Sequence, residues 1–164
     1  MTIGSLLLEM LGGISTFPVS SQSSVRQFVT TKELCEKDLI LMDMLNSKGH
    51  ENVCFCICDP NKTDMPIVFA SSGFCNFTGY DCKEIEGRNC RFLQGEGTDA
   101  EDVARIRSCL KEETEGSINL LNYRKDGTPF VNEFFLSPLR DIHGTVCYVS
   151  QCIDNGKDSC SNDR

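Results

Sequence analysis

The densest run of chemically capable side chains is Gly87-Arg88-Asn89-Cys90-Arg91-Phe92-Leu93-Gln94-Gly95, a thiol set among two amides and two guanidinium groups. Arg91 and, further on, Arg107 each offer a fork of donors and a fixed charge, which suits a phosphate. Asn89, Gln94, Asn122 and Asn132 each carry a donor and an acceptor. Such a set fits the edge of a flat heterocycle that alternates C=O with N–H. Taken singly, each Asn would serve a turn or a strand edge; beside the Cys-Arg-Gln run they read together as a binding site. A thiolate is also a nucleophile, but a cysteine enzyme needs a base within reach. The two histidines, His50 and His143, fall in predicted loops.

These residues must be held by an ordered set of elements. The pattern predicts a helix from Thr31 to about Gly49, capped by Thr30 or Thr31, with Leu34, Leu41, Met42 and Leu45 at helical spacing. Strands are expected at Val53–Cys58 and Ile67–Ala70, joined as a hairpin through the polar loop Asp59–Pro66. Short helical pieces follow through Ser71–Gly87. A clear helix then runs from Ala100 to Glu113, capped by Asp99 and ended by Gly116. Its Val103, Ile106 and Leu110 fall on one face. Ser117–Tyr123, Pro129–Pro138 and Thr145–Ile153 read as three more strands with turns at Lys125-Asp126-Gly127 and Asp141–Gly144. Two strands, a group of helices and three strands make an α+β fold with one five-stranded antiparallel sheet. On the fourth strand Asn132, Phe134 and Leu136 share a face, as a ligand with a polar rim and an apolar ring requires.

The chain of 164 residues suits one domain with tails, and 40% apolar residues suffice for a core. A formal charge of -8 with no basic cluster argues against direct nucleic-acid binding. Residues 1–30 read as a tail, its first 14 positions able to form a short amphipathic helix and the rest a Ser/Thr-rich linker. The apolar start has no basic n-region and is too short to span a bilayer, so no membrane contact is expected. Eleven cysteines, an odd count without a secretory signal, do not suggest a disulfide framework. Most read as small buried apolar side chains in a reducing, intracellular compartment, cytoplasmic or nuclear. No CxxC pair occurs, so no metal is expected. The chain thus divides into a tail (1–30), a cap helix (31–49), a core domain (50–155) and a polar C-terminal tail (156–164).

GRNCRFLQ resembles the signature of LOV domains, the flavin photosensors of the PAS superfamily found in phototropins and aureochromes. PIVFASSGFCNFTGYDCKEIEGRNCRFLQGEGTD, VARIR and LLNYRKDGTPFVNEFFLSPLRD are similar to that family in the same order, over Asn52 to Asp154, roughly two-thirds of the chain. The resemblance implies a PAS fold and a blue-light receptor that turns over no substrate. Cys90 would form a reversible adduct with flavin C4a. Asn89, Asn122 and Asn132 would bind the polar edge of the isoalloxazine, Arg91 and Arg107 the phosphate of FMN, and Gln94 the ribityl chain. Leu93, Val103, Ile106, Leu110, Leu120, Phe134 and Leu136 would pack on the rings. Cys56 and Cys58 stand where the family usually has Val and Thr, on the cofactor-facing side of the first strand.

The family carries a Gln on its last strand whose reorientation passes on the signal, and Gln151 is its counterpart. The segment from Gly144 to Gln151 is one residue shorter than the family pattern. A shortfall in the turn, the reading adopted here, keeps Gln151 on its face; a shortfall within the strand would reverse it. FMN is expected ahead of FAD or riboflavin, because the stretch from Gln94 to Thr98 leaves little room for an adenylate. The expected partners are an effector protein and a second copy of the chain, with light controlling the contact through the N-terminal helices. The rival reading is a PAS interaction module that binds flavin without a productive photocycle.

Overall fold

A computed structural model describes residues 26–47 and 53–153. The expected helix within residues 1–14 and the polar tail 156–164 lie outside the described residues. β1 (Cys54–Cys58) and β2 (Ile67–Ala70) form an antiparallel hairpin in which Cys56 faces Ala70. Three short helical elements follow: α2 (Ser72–Thr78), α3 (Cys82–Ile85) and a 3₁₀ turn, Cys90–Leu93. Then come α4 (Ala100–Glu112) and the strands β3 (Gly116–Tyr123), β4 (Pro129–Arg140) and β5 (Val146–Ile153). All strands join one antiparallel sheet in the order β2-β1-β5-β4-β3, so the last strand is the central one.

Local chemistry starts and stops these helices. The Ser71 hydroxyl caps α2 by accepting from Phe74 N, and it also accepts from Phe55 N and donates to Val53 O, which ties α2 to β1. Asp81 and Glu84 form a reciprocal capping box on α3. Asp99 caps α4 as expected. The helix ends earlier than Gly116 would set it, at Glu113, which takes a left-handed conformation with φ 52°. Gly116 instead opens β3.

The sheet is covered on both faces. On one, α2, α3 and α4 pack over a cluster that includes Phe74, Ile85, Leu93, Ile118, Leu120, Phe134 and Leu136. On the other, Leu34 and Met42 bury against Phe55, Ile57, Phe69, Leu139 and Tyr148. Each of those two side chains contributes roughly 1.5–3 kcal/mol by leaving water. Phe28 adds ring contacts to Phe69 and Tyr148 at 5.7 and 5.2 Å.

The first helix is shorter than its periodicity suggests. α1 spans Glu36–Asn46 and starts after Cys35, not at Thr30 or Thr31. Thr30 accepts from Lys32 N and donates to Lys32 O, closing a local turn in place of a cap. Residues 33–35 are extended along the end of β4: Leu34 bridges Asp141, and Cys35 N donates to Arg140 O at 2.9 Å. A strand-like bridge and helical geometry exclude each other, so the bridge delays the helix.

Asp38 is the buried polar anchor of this layer, 3% exposed. It accepts the Arg140 backbone N–H at 2.7 Å and the Cys35 thiol at 3.2 Å. Replacing Asp38 with Ala strands a buried donor and is expected to cost about 1–3 kcal/mol, with Asp38→Asn costing less because one acceptor remains. Urea unfolding of the two variants checks this; equal losses would mean that the carboxylate contributes through charge and not through acceptance.

Candidate functional site

Between the sheet and α4 lies a pocket of about 170 Å³ that opens to solvent. Most of its walls come from the 3₁₀ turn, α4 and three strands of the sheet. The 3₁₀ turn and the residues beside it supply Asn89, Cys90, Arg91, Leu93 and Gln94; α4 supplies Val103, Ile106, Arg107 and Leu110. The sheet supplies Leu120 and Asn122 from β3, Asn132 and Phe134 from β4, and Gln151 from β5. The alternation along β3 and β4 explains this gathering. Ile118, Leu120 and Asn122 are buried while Ser117 and Asn119 are exposed; Asn132, Phe134 and Leu136 are buried while Val131, Glu133 and Phe135 are exposed.

Three residues expected beside the ligand, Leu136, Cys56 and Cys58, do not themselves line the pocket. Leu136 is fully buried in the core cluster but does not reach the pocket surface. Cys56 and Cys58 likewise do not line it. Both are wholly buried, with sulfurs 3.9 and 3.4 Å from that of Cys90, so they lie against the pocket's thiol and not in the pocket. Met65 and Phe74 line the pocket and carried no chemical signal in the sequence. Met65 arrives there through a loop that takes positive φ at Asp64 and Met65. Gln151 faces the pocket: it sits opposite Leu136 on β4 and Cys56 on β1, and the irregularity of pairing lies at Leu139/Arg140, beside the turn.

The polar wall has an unfilled requirement. Asn132 Nδ2 donates to Asn122 Oδ1 at 2.8 Å, and Asn122 Nδ2 donates to Leu121 O at 3.1 Å. Asn132 Oδ1 is buried and accepts nothing, a costly state unless a ligand N–H meets it. The apolar wall is likewise incomplete, for Val103, Ile106 and Leu110 are only partly buried and no residue of α4 is fully buried. At the mouth stand the exposed side chains of Arg91 and Arg107. Arg91 is steadied by an ion pair with Asp64 at 2.7 Å. In a chain of net charge -8, this pair makes a local place for an anion. Asn89 is a fastener at the pocket edge: its amide donates to Asp64 O at 2.7 Å and accepts from Arg91 N at 3.0 Å.

Three thiols meet behind the pocket wall. Hydrogen bonds from Cys56 and then Cys58 pull the Cys90 thiol well below the ordinary range, against the opposing effect of burial. Cys56 is pushed well up, by its hydrogen bonds with Cys58 and Cys90 and by burial. Its bond with Cys56 draws Cys58 down, but bonding to Cys90 and burial outweigh this and leave it well above. Elsewhere, Cys75 and Cys82 form a disulfide, which corrects the expectation of isolated buried thiols. The left-handed turn at Gly79, φ 77°, folds α3 back so that the two meet. His143 is exposed in the β4–β5 turn and is no base for Cys90; His50 lies outside the described residues.

A family model described as "PAS domain" matches residues 52–155. A protein of Listeria monocytogenes named "Blue-light photoreceptor" is 43% identical over 106 residues, 65% of this chain and 42% of that protein. "Phototropin-2" of Oryza sativa subsp. japonica is 50% identical over 92 residues, 56% of this chain and 10% of that protein. The chain thus spans less than half the length of either relative. Among solved structures, the light state of the Aureochrome1 LOV domain superposes with a TM-score of 0.62 at 44% identity, covering 64% of this chain and 82% of that one. Among the described residues no helix is long and apolar enough to cross a membrane.

The loop between the 3₁₀ turn and α4 is held by close approach. Gly97 N donates to Tyr123 Oη at 3.0 Å, and Thr98 Oγ1 accepts from Gly95 N and donates to Leu121 O. A Cβ on Gly95 would meet the Tyr123 ring, and one on Gly97 would lie 2.8 Å from both Leu121 and Tyr123. Gly95→Ala is expected to lower stability by about 1–3 kcal/mol through overpacking and to weaken ligand binding by displacing Gln94. Denaturant midpoints and a ligand titration measure both; an unchanged midpoint would show that the ring moves aside freely.

Proposed function

The chain belongs to the PAS domain family, as a domain of the LOV type, and from that premise we propose that it is a blue-light sensor that binds FMN. The observation that carries the proposal is the pairing of Cys90, at the pocket wall and lowered in pKa, with an unsatisfied Asn132 oxygen on the same pocket. A flat heterocycle with a ring N–H satisfies that oxygen. Its apolar body completes the burial of Val103, Ile106, Leu110, Leu120 and Phe134. Arg91 and Arg107 lie where a phosphate at the pocket mouth would be held, and Gln94 where a polyol chain would pass. Asn122 orients Asn132 and completes the polar edge.

A bound flavin would supply the chemistry of excitation, becoming reactive toward a thiol on absorbing light, and Cys90 is the thiol that would add to it reversibly at C4a. The protein's contribution is placement. Hydrogen bonding with Cys56 and Cys58 favours the ionised form of Cys90, while the pocket walls keep the thiol beside the ring. No residue of the site serves as a general base, and the reading involves no turnover.

Gln151 is the proposed relay. It lies on the front of the central strand, within 3.9 Å of the Cys58 sulfur. Tyr148 and Cys152, on the same strand, pack into the opposite layer with Leu34 and Met42. A change in what Gln151 bonds is therefore one residue (Cys152) and three residues (Tyr148) along β5 from side chains that pack with Leu34 and Met42. Release or re-pairing of this cover, with an effector protein or a second copy of the chain inside the cell, is the proposed output.

Absorption spectra before and after a blue flash test the reading. The wild-type protein is expected to bleach and recover in the dark, and Cys90→Ala to keep the flavin and lose the bleaching. A protein that binds flavin and stays inert to light would be an interaction module instead, and one that binds none would end the proposal. Gln151→Leu is expected to bleach normally while losing light-dependent protease sensitivity at α1; sensitivity that persists would remove Gln151 from the relay.

A further inference from the structure

The photosensor reading needs one thiol, and the structure places three together. The Cys58 sulfur lies 3.4 Å from that of Cys90 and the Cys56 sulfur 3.9 Å. All three sulfur atoms fall within 4.8 Å of one another. Cys58 is fully buried on β1 and has the Gln151 amide 3.9 Å from its sulfur. The nearest sulfur to the photoreactive one is thus a second thiol that the reversible cycle does not use.

We propose that Cys58 is a resolving thiol for Cys90, which gives the protein a second, light-driven reaction: oxidation of its own Cys58–Cys90 pair with two-electron reduction of the flavin. The inference rests on the photosensor reading. Cys58 loses its proton and its sulfur attacks the Cys90 sulfur while the latter is bonded to carbon. A sulfur–sulfur bond forms and the sulfur–carbon bond breaks. The electron pair of the broken bond stays with the isoalloxazine ring, which already holds the hydrogen given up by Cys90 and takes up a second proton. Two thiols and one oxidised flavin become one disulfide and one dihydroflavin, so no outside oxidant is needed.

The direction of attack follows from the surroundings. Thiol exchange proceeds by a thiolate striking a sulfur that has a leaving group, and Cys90 bonded to the ring is such a sulfur. Cys58 is closer than Cys56, and the Gln151 amide, which also bonds Cys90, lies 3.9 Å from its sulfur, where an N–H can stabilise a forming thiolate. Burial and its bonding to Cys90 keep the Cys58 proton on. The branch is therefore slow in any single cycle, accumulates under continuous light and speeds up as pH rises. A Thr or Val at this position has no such reaction, which sets this chain apart from a sensor with one thiol.

The test uses the full chain with FMN bound, under continuous blue light without oxygen, followed by alkylation of free thiols and peptide mass analysis. The expected result is a loss of two alkylatable thiols per chain, a Cys58–Cys90 cross-linked peptide pair, and flavin bands that stay bleached in the dark until air is admitted. In Cys58→Thr the thiol loss should fall at least tenfold. A wild-type protein that bleaches and recovers with every thiol intact overturns the proposal and leaves the photosensor reading standing. One that never bleaches overturns both. A separate arm needs no flavin: the flavin-free chain in the dark, treated with the dithiol oxidant diamide, should link Cys58 to Cys90. A link to Cys56 in its place would overturn the assignment of Cys58.

Discussion

A β-strand shows alternate side chains to opposite faces, and in this protein that rule acts on a strand at the middle of the sheet. β5 is flanked by β1 and β4 and is covered on both sides. Its register decides at once which residue meets the pocket and which residues meet the N-terminal cover. With Gln151 forward, Cys152 goes back to join Tyr148 in the layer of Leu34 and Met42. A slip of one residue would put an amide into the apolar layer and a thiol on the pocket. The register is held from both neighbours, by Cys56 opposite Gln151 on β1 and Leu136 opposite it on β4.

The pocket exists because the front of the sheet is wider than its own helices cover. α4 carries an apolar stripe but buries none of its residues completely. Elsewhere the same face is filled, as by Ile85 of α3, and Phe74 of α2 and Leu93 close the edge of the opening. The contrast locates the binding site: the core is finished under α2 and α3 and left open under α4. The orphaned oxygen of Asn132 fits the same account, since a buried acceptor without a donor persists where a ligand is to supply one. The loop from Gln94 to Thr98 then has to be tight, and Gly95 and Gly97 let it press onto Tyr123.

The thiol group shows how proximity redistributes chemical character. Three cysteines share a small buried volume, and their mutual hydrogen bonds divide them into one acidic and two reluctant thiols. Cys90 opens onto the pocket, and Cys56 and Cys58, wholly buried, do not line it. Alternation on β1 makes this unavoidable, because positions 56 and 58 point the same way, toward the turn that carries Cys90.

Much of this was determined by the sequence alone. The order of elements, the Asp99 cap, the α4 stripe and the shared face of Asn132 and Phe134 follow from local spacing, because strand and helix periods are properties of the chain itself. The start of α1 was not determined locally, since the bridge from Leu34 to Asp141 overrides the Thr caps. Nor was the fate of Leu136, Cys56 and Cys58, which share a face with pocket residues but sit behind its wall. Asn89 lines the pocket and caps the 3₁₀ turn locally through the Arg91 N–H, while its bond to the Asp64 carbonyl is one that only the fold brings into reach. A sequence period gives the side of an element on which a residue lies. Depth along that side depends on what other elements place in front of it, and that is set only when sheet, helices and loops pack together.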